Sequence, residues 1–337
     1  MVKRGKSLST VPQIALIGCG YWGENLCRNF HTLGALSAVV DATESGQTKA
    51  RSLVPNAIIS DNSDDILGDD QIAGIALATP AETHAELAIQ AMRAGKDVFV
   101  EKPMALSISD AEAMQTVANE TGRILMVGHL LEYHPAVLKL RELIDSGELG
   151  KINYVYSNRL NFGKVRTEEN ALWSFAPHDV AVILRLLGQS PIEVSASGGA
   201  YLTKGIADVT VSNLRFSDNS RAHIFVSWLH PYKEQRLVVV GDKKMAIFND
   251  VNAFGEKLCV YPQSVEFDGR LPILKKEDND FIEHADTEPL LEECAHFLHC
   301  IKTRNTPLTD AQSGIEVLKV LHACQESMKQ NGVLVSL

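Results

Sequence analysis

The sequence lacks the long apolar runs and the excess of positive charge that mark two large classes of protein. No apolar run approaches the roughly 20 residues of a membrane span, so we expect no membrane association. Met1–Pro12 is basic and polar and lacks the apolar core of a signal peptide, and we expect a frayed arm there. The formal net charge of −10 argues against a nucleic-acid partner.

The chain also lacks the cysteine spacings that indicate metal sites or redox motifs. Its six cysteines are scattered, and no pair has zinc-ribbon or Cys-x-x-Cys spacing. We therefore expect reduced thiols, no metal centre and a cytoplasmic location. The apolar fraction of 45% and the charged fraction of 22% are ordinary for a globular protein, and 337 residues suffice for two domains.

The most informative segment is Ile14–Gly23, in which four apolar residues precede the pattern G-x-G-x-x-G. Such an apolar run is typical of a parallel strand that is buried on both faces. In the turn that follows, Gly18 permits a tight bend, Gly20 lets a pyrophosphate approach the backbone, and Gly23 lets the next helix pack closely. The pattern predicts dinucleotide binding, with an ordinary strand-to-helix turn as the alternative. The predicted cofactor contacts in this loop are Gly18, Gly20, Tyr21, Trp22 and Gly23.

Asp41 follows the second predicted strand, Leu36–Val40. A carboxylate at this position accepts hydrogen bonds from the adenosine ribose hydroxyls and repels a 2′-phosphate. No arginine follows it directly, so the sequence favours NAD over NADP. The alternative interpretation is a polar loop residue without a role in binding.

Two architectures follow one another along the chain. Strands and helices alternate over residues 13–128, which predicts an NAD-binding Rossmann domain over residues 1–128, an α/β fold with a doubly wound parallel sheet. Residues 129–337 contain runs of adjacent strands, which predict an α+β domain for substrate binding and oligomerisation with a large open mixed or antiparallel sheet. One face of such a sheet needs a cover, so we expect a homodimer or homotetramer.

Three stretches of the chain together point to one family. They are the glycine-rich loop, Glu101-Lys102-Pro103 and Ala176-Pro177-His178-Asp179. With these stretches the chain resembles the Gfo/Idh/MocA oxidoreductases, the group of glucose–fructose oxidoreductase and inositol dehydrogenase, from Gln13 to about Val333. In that family the lysine lies between nicotinamide and substrate and the Lys–Pro bond is typically cis, which implies the same for Lys102–Pro103.

Lys102 and the residues near it are predicted to bind the cofactor and to take part in catalysis. A cation at a strand end can donate to the reacting hydroxyl and favour its alkoxide, and burial beside NAD+ would lower the pKa of Lys102. Glu101 either positions Lys102 or caps the strand, and both residues are among the predicted cofactor contacts. The resemblance also places Thr79, Pro80 and His84 near the nicotinamide ribose, although His84 fits a helix surface as well.

His178 is the predicted catalytic base. Pro177 suits the first turn of a helix, so we expect His178 at the positive end of a helix dipole, which keeps its imidazole neutral and able to accept the hydroxyl proton. A core or capping histidine is the alternative. The family usually has Asp four residues earlier, where this chain has Ser174, and a serine supplies no charge to a proton relay. Asp179 is interpreted as a favourable acid in the first helical turn.

Two further segments bear on the substrate. His129–Pro135 follows the last strand of the first domain, and Asn158–Arg166 places three cations and two amides around a glycine, a composition that suits phosphate oxygens. With the stretch around His178 they resemble the nucleotide-sugar branch of the family, whose members oxidise the 3-hydroxyl of UDP-N-acetylhexosamines or their uronic acids. Core packing of Tyr133 and a solvated basic loop are the alternatives. The implied substrate-binding residues are His129, Tyr133, His134, Asn158, Arg159, Lys164, Arg166, Trp173, Ser174 and His178.

The sequence therefore predicts an NAD-dependent UDP-sugar 3-dehydrogenase. In this interpretation His178 removes the hydroxyl proton and Lys102 stabilises the developing oxyanion. The 3-keto product would suit a downstream aminotransferase that makes 3-amino sugars for surface glycans. The alternatives are the same chemistry on a free sugar or inositol, and a non-catalytic NAD-binding regulator, which would not need Lys102 and His178 together.

Overall fold

The computed structural model describes residues 11–337, so all but the last two residues of the predicted N-terminal arm lie outside it. The described residues divide into two compact units. The first comprises residues 11–129 and 288–315, and the second comprises residues 130–287 and 316–337. Within residues 11–337 no helix has both the length and the apolar character needed to cross a membrane. The six cysteines all lie in this range, and each is a free thiol.

The first unit is built on a parallel sheet. Its strands are β1 (Ile14–Ile17), β2 (Leu36–Val40), β3 (Ile58–Ser60), β4 (Gly74–Leu77), β5 (Asp97–Glu101) and β6 (Leu125–Gly128). They form a six-stranded sheet in the order β3-β2-β1-β4-β5-β6, with every neighbouring pair parallel. Every residue of β1, β4, β5 and β6 is buried, which explains their nearly continuous apolar sequences. The predicted Rossmann fold is confirmed.

Helices connect these strands, and local capping residues set several of their ends. They are α1 (Gly23–Thr32), α2 (Glu44–Leu53), α3 (Asp64–Leu67), α4 (His84–Arg93) and α5 (Ile108–Thr121). The Thr43 hydroxyl accepts a hydrogen bond from Gly46 N at the start of α2, and Ser107 does the same for Asp110 N at the start of α5. Gly122, with a φ of +63°, ends α5 in the left-handed conformation that glycine adopts readily.

A late helix also belongs to the first unit, which differs from the expected boundary at residue 128. In α8 (Pro289–Thr303) the ring of Phe297 packs edge-on against Phe30 and Phe99, with centroid distances of 6.3 and 5.8 Å. Directly after α8, Arg304 forms a two-point ion pair with the buried Asp97, at 2.6 and 3.0 Å. The apolar face of α8 is therefore completed by residues far away in sequence, which helical periodicity alone does not identify.

The second unit is built on a nine-stranded mixed sheet. The strands that follow β6 are β7 (Ile152–Phe162), β8 (Glu193–Gly199), β9 (Val209–Arg215), β10 (Arg221–Ser227), β11 (Leu229–Gly241), β12 (Met245–Asn249), β13 (Leu258–Tyr261), β14 (Ser264–Asp268), β15 (Leu271–Lys275), β16 (Asp280–Phe281) and β17 (Val335–Ser336). The order is β16-β13-β12-β11-β7-β10-β9-β8-β17, with β14 and β15 as a separate hairpin. The β7–β10 pair is parallel and the other pairs are antiparallel, so the predicted mixed sheet is confirmed.

Helices cover one face of this sheet. They are α6 (Pro135–Asp145), α7 (Ala171–Leu187) and the part of α9 (Ala311–Lys329) beyond residue 315. Helix α7 packs on β7 and β10, and α6 packs on β12. On β9, buried Thr210, Ser212 and Leu214 alternate with exposed Val211 and Asn213, which is the alternation expected of a sheet with one buried face.

Candidate active site

The loop between β1 and α1 has the geometry that its glycines predict. Gly18 has a φ of +93°, and a Cβ on Gly23 would lie 2.1 Å from the Gly18 carbonyl oxygen. By contrast, no described atom lies within 4 Å of a Cβ at Gly20. The three glycines thus serve the turn, the close helix packing and the access to the backbone, and Tyr21 and Trp22 are exposed beside them. The loop fits a dinucleotide pyrophosphate at the start of α1.

Asp41 is held at the end of β2 by the same loop. Its Oδ2 accepts a hydrogen bond from Cys19 N at 2.7 Å, and its Oδ1 accepts bonds from Thr43 N and Oγ1 at 2.8 and 2.7 Å. Burial works to raise the pKa of Asp41, but the hydrogen bonds from Thr43 and Cys19 outweigh it and hold that pKa below its usual value. Asp41 is therefore a fixed, ionised carboxylate beside the glycine-rich loop.

This carboxylate predicts a strong preference between the two nicotinamide dinucleotides. We expect NADP+ to bind with a Kd at least about tenfold higher than NAD+, a difference of about 1.4 kcal/mol, because Asp41 repels the 2′-phosphate. Isothermal titration with each cofactor measures the difference, and Asp41→Ser should narrow it. Equal affinities in the wild-type protein would contradict the assignment.

The ends of β4, β5 and β6 bring several predicted residues together. Because Leu77 pairs with Val100, and Glu101 pairs with Gly128, the segments that follow leave the sheet at the same edge. That edge carries Thr79 and Pro80 after β4, Lys102 after β5 and His129 after β6. The Lys102–Pro103 bond is cis, as the resemblance implied. Ligands of doubly wound sheets bind at this edge.

His84 joins two of these segments. Its Nδ1 lies 2.9 Å from the Pro103 carbonyl oxygen, and its Nε2 lies 2.9 Å from the Thr79 carbonyl oxygen. The side chain is buried, which lowers the pKa of His84, although the two carbonyl groups act in the opposite direction. His84 therefore bridges the ends of β4 and β5 from inside the unit, and its position differs from the helix-surface alternative.

His129 is a buried imidazole beside a cation. It is 3% exposed, and neither of its ring nitrogens has a hydrogen-bond partner within residues 11–337. Burial, together with the positive charge of Lys102, lowers the pKa of His129 to about 4. The ring is therefore neutral at physiological pH, and its nitrogens are available to hydrogen-bond a ligand.

Glu101 is buried at the end of β5. Its Oε1 accepts a hydrogen bond from Trp22 Nε1 at 2.5 Å, and its Oε2 accepts a longer bond from Lys102 N at 3.3 Å. A Cβ on Gly128 would lie 3.2 Å from the carboxyl group, so the glycine leaves room for it. Glu101 thus contacts protein groups on the glycine-rich loop and on the lysine turn, whereas the sequence predicted a contact with the cofactor.

In the second unit, the helix that carries His178 begins earlier than predicted. Helix α7 starts at Ala171, and the Asn170 side chain caps it by accepting a hydrogen bond from Trp173 N at 3.2 Å. Pro177 lies inside the helix, so His178 is in the third turn and not at the N-terminus. The expected dipole effect on its imidazole is therefore wrong. Asn170 was the missed signal, since asparagine is among the strongest N-cap residues.

Asp179 is not a first-turn acid either. Its buried carboxylate accepts hydrogen bonds from Arg159 Nε and Nη2 at 2.8 and 3.1 Å, and from Ser157 Oγ at 2.5 Å. This two-point ion pair joins β7 to the turn of α7 that carries His178. The Arg159 guanidinium is thus engaged by Asp179, and the structure gives no support to its predicted role as a substrate cation.

Two predicted substrate residues share α7 with His178. Ser174 lies one turn before it, on the same helical face; it is 5% exposed, and its hydroxyl has no hydrogen-bond partner within the described chain. Trp173 Nε1 donates to Gln325 Oε1 at 3.2 Å, and its ring meets His322 edge-on at 5.0 Å. Ser174 can therefore offer a hydroxyl to a ligand, whereas the indole N–H of Trp173 is bonded to α9.

The predicted basic loop is partly neutralised by acidic neighbours. Arg166 Nε lies 3.1 Å from Glu169, and its Nη1 lies 3.7 Å from Glu168. Asn158, at the start of the segment, donates to Glu234 Oε1 at 2.9 Å. Lys164 is exposed. Among the three cations of the segment, Lys164 is the most exposed to solvent, and it stays a predicted contact of an anionic substrate.

The segment after His129 has a structural role that the sequence did not reveal. His134 caps α6, with its Nδ1 accepting a hydrogen bond from Ala136 N at 3.1 Å, and its Nε2 lies 3.5 Å from Asp250 Oδ1. Tyr133 is 4% exposed, which agrees with the core-packing alternative. His134 and Tyr133 thus anchor α6, and their predicted place in the substrate pocket has no support from these contacts.

A six-stranded parallel sheet with this strand order, glycine-rich turn and acidic residue after β2 is the fold of a dinucleotide-binding oxidoreductase. Residues 13–129 match the model of the Gfo/Idh/MocA oxidoreductase family, NAD-binding Rossmann fold, and residues 137–247 match that of the GFO/IDH/MocA C-terminal domain. The chain belongs to the Gfo/Idh/MocA family, and its cofactor is NAD.

Characterised relatives carry several different activities. The chain is 30% identical over 244 residues to 2,7-anhydro-N-acetylneuraminate hydratase of Mediterraneibacter gnavus, a match that spans 68% of this chain and 65% of the relative. It is 25% identical over 305 residues to UDP-N-acetylglucosamine 3-dehydrogenase of Acidithiobacillus ferrooxidans, with 90% and 93% of the two chains covered. A crystal structure of an oxidoreductase from Magnetospirillum magnetotacticum aligns with a TM-score of 0.81 at 29% identity, covering 94% and 100%. The two named relatives thus carry names for different reactions, a hydratase and a dehydrogenase.

Proposed function

We propose that the protein is an NAD-dependent dehydrogenase that oxidises the 3-hydroxyl of a UDP-N-acetylhexosamine, UDP-N-acetylglucosamine or its uronate. The observation that carries the proposal is Lys102, which follows β5 at the ligand-binding edge of the sheet next to the unpartnered imidazole of His129. The similarity to UDP-N-acetylglucosamine 3-dehydrogenase over 90% of the chain supports the choice of sugar.

The reaction divides between two protein groups. Bound NAD+ supplies the hydride acceptor. The half-buried Lys102 ammonium donates a hydrogen bond to the reacting hydroxyl and stabilises the negative charge that develops on its oxygen. His178 accepts the hydroxyl proton as general base, and Ser174, one turn earlier, supplies a neutral hydroxyl where the resemblance led us to expect a carboxylate.

A free sugar or polyol such as inositol is the second candidate substrate. The observation that favours it concerns the cations of the segment Asn158–Arg166, which the sequence predicts to bind phosphate. Arg159 is paired with Asp179, and Arg166 is paired with Glu169. Cations that are already paired add less to the binding of a diphosphate. The two candidates therefore differ in whether Lys164 contributes to substrate affinity.

The cellular setting is also part of the proposal. We infer a cytoplasmic homodimer or homotetramer, because the sheet of the second unit presents exposed residues such as Val211 and Asn213 on one face, and association would cover them. A 3-keto sugar reacts readily with amines, so an aminotransferase is the proposed next enzyme. Gel filtration with light scattering tests the assembly directly.

A panel of thermal shifts tests the substrate class. The purified protein is mixed with NAD+ and then with UDP-N-acetylglucosamine, its uronate or inositol. We expect a UDP-sugar to raise the Tm beyond NAD+ alone, and inositol to have no such effect. Stabilisation by inositol alone would favour the free-polyol candidate, and no response to any of the three would oppose both.

Lys164 gives the sharper mutational test of the diphosphate contact. We expect Lys164→Ala to raise KM for the UDP-sugar about tenfold, because a charge-assisted hydrogen bond is worth roughly 1.5–3 kcal/mol. Such binding is nearly equal in ground and transition states, so kcat should change little. Arg166→Ala should have the smaller effect, because Glu168 and Glu169 already offset its charge. Lys204→Ala, at an exposed position in another loop of the same unit, is the matched control, and an unchanged KM in Lys164→Ala would count against the diphosphate.

A further inference from the structure

Glu101 connects two parts of the first unit that are far apart in sequence. Trp22 belongs to the glycine-rich loop, and Lys102 begins the turn after β5, yet both donate to the same carboxylate, at 2.5 and 3.3 Å. Trp22 and Glu101 are 79 residues apart. One side chain therefore contacts both the glycine-rich loop and the backbone of Lys102.

The carboxylate is also a buried charge at the ligand-binding edge. Glu101 is 7% exposed, and burial raises its pKa to about 7, against the opposing effects of the Trp22 hydrogen bond, the Lys102 charge and the Lys102 amide. Charges in such low-dielectric surroundings act over several ångströms. A cation that binds near this edge would consequently favour the ionised form of Glu101.

We propose that Glu101 is a positioning residue that ties the glycine-rich loop to the Lys102 turn, and that its negative charge favours oxidised over reduced nicotinamide dinucleotide. The oxidised ring is positive and the reduced ring is neutral, so the charge of Glu101 distinguishes the two forms. This inference uses the established cofactor and rests on the proposed function only for the catalytic role of Lys102.

Two titratable groups close to Glu101, His129 and Cys294, have pKa values that lie outside the range from pH 6 to pH 8. The charge of Lys102 faces Glu101 from the same turn and also acts on His129, whose pKa is lowered to about 4. On α8, the thiol of Cys294 is influenced by Glu101 and by the adjacent buried Glu293, and burial raises its pKa well above the usual value. Replacing Glu101 alone therefore isolates its contribution from those of His129 and Cys294.

The sign of the pH effect follows from linkage. Bound NAD+ favours ionised Glu101, so binding releases a proton whenever Glu101 is protonated, and affinity rises with pH through about 7. If the nicotinamide charge lowers the pKa of Glu101 by about one unit, the Kd for NAD+ falls about fivefold between pH 6 and pH 8. NADH, which lacks the ring charge, should show a much smaller change.

Titration calorimetry with NAD+ and NADH at several pH values tests the inference without any substrate. Glu101→Gln keeps the shape of the side chain and an acceptor for Trp22 but removes the charge. We expect Glu101→Gln to raise the Kd for NAD+ about tenfold at pH 8, which is the same one-unit coupling expressed as affinity. The Kd for NADH should stay within about twofold of the wild-type value, and the pH dependence of NAD+ binding should disappear. Glu86→Gln, which removes an exposed carboxylate on α4, is the matched control and should change nothing.

Trp22→Phe separates the hydrogen bond from the charge. It removes the N–H donor that lowers the pKa of Glu101, so the rise of NAD+ affinity with pH should occur at a higher pH than in the wild type. Trp22→Phe should therefore bind NAD+ more weakly than the wild type near neutral pH and should recover that affinity as the pH is raised. Glu101→Gln should show no such recovery. Equal losses for NAD+ and NADH in Glu101→Gln, or wild-type affinity for both, would overturn the inference while leaving the substrate proposal standing.

Apoprotein stability provides an independent check that the variant folds and that Glu101 titrates as described. The folded pKa of Glu101 is raised from 4.5 to about 7, so its stabilising contribution is complete below pH 4.5 and is lost as pH rises through 7. The Tm of Glu101→Gln relative to wild type should therefore increase between pH 5 and pH 8. A constant difference would show that Glu101 is not the titrating group and would overturn the charge mechanism.

Discussion

Lys102→Ala and His178→Ala are each expected to lower kcat by about 10²–10⁴-fold, the range typical of general acid–base groups. Lys102→Ala removes the cation that stabilises the developing oxyanion, and His178→Ala removes the acceptor of the hydroxyl proton. Initial rates of NADH formation at saturating NAD+ measure both effects. The Lys102 charge lowers the pKa of Glu101, so NAD+ binding is compared at about pH 9, where Glu101 is ionised in the wild type and in Lys102→Ala. Because Lys102 and the nicotinamide ring of NAD+ are both positive, Lys102→Ala should not weaken NAD+ binding there.

The controls for these variants separate chemistry from folding. Far-UV circular dichroism, the Tm and the Kd for NAD+ should remain close to wild type in both. Lys139→Ala, on the exposed surface of α6, is the matched lysine control and should keep full activity. A His178→Ala enzyme with near-normal turnover would show that another group is the base, and an active Lys102→Ala enzyme would contradict the oxyanion role.

The second large effect is expected on stability, at the Arg159–Asp179 ion pair. We expect Arg159→Ala and Asp179→Ala each to lower the free energy of unfolding by about 3–5 kcal/mol, because each leaves a buried charge without its partner. The exposed fraction of the two side chains is 11% and 3%, so water replaces little of the lost interaction. Urea denaturation of each purified single variant and of the wild type measures the change in the free energy of unfolding.

A double-mutant cycle separates the ion pair from general loss of packing. The double variant Arg159→Ala/Asp179→Ala leaves no unpaired charge and should lose much less stability than the sum of the two single variants. Glu142→Ala, which breaks the exposed Lys139–Glu142 pair at 2.8 Å, should cost less than about 1 kcal/mol. If Arg159→Ala raised KM without lowering stability, Arg159 would be the substrate cation that the sequence suggested.

Features that depend on neighbouring residues could be predicted from the sequence. The three glycines of the first loop, the acid after β2 and the apolar strands follow local steric and hydrophobic rules, and the structure places them accordingly. The Lys102–Pro103 turn came from the family resemblance and not from physical chemistry. Because β4, β5 and β6 are neighbouring parallel strands, the residues that follow each of them lie at the same edge of the sheet as Lys102.

Contacts between distant segments could not be predicted in the same way. The sequence contains no signal that pairs Trp22 with Glu101, Arg159 with Asp179 or Phe297 with Phe30, since those contacts depend on the packing of the complete fold. The composition of the segment Asn158–Arg166 predicted phosphate binding, but it did not reveal that Asp179, Glu168 and Glu169 pair with the two arginines of this segment.

The start of α7 shows how two local rules can conflict. Proline is favoured in the first turn of a helix, which led to a predicted start near Pro177. Asparagine is favoured at the N-cap, and Asn170 begins the helix two turns earlier. The early start packs Ala171 and Leu172 into the core, and this burial offsets the hydrogen bond that Pro177 cannot donate.

The most direct test of the proposed function is NADH formation by the purified protein. NAD+ is supplied with UDP-N-acetylglucosamine, its uronate, N-acetylglucosamine or inositol, and the reduced cofactor is followed by absorbance in wild type and in His178→Ala. The proposal predicts NADH with a UDP-sugar, little with the free compounds, and loss of the signal in His178→Ala. NADH formation with inositol but not with either UDP-sugar, or equal rates in the variant, would contradict it.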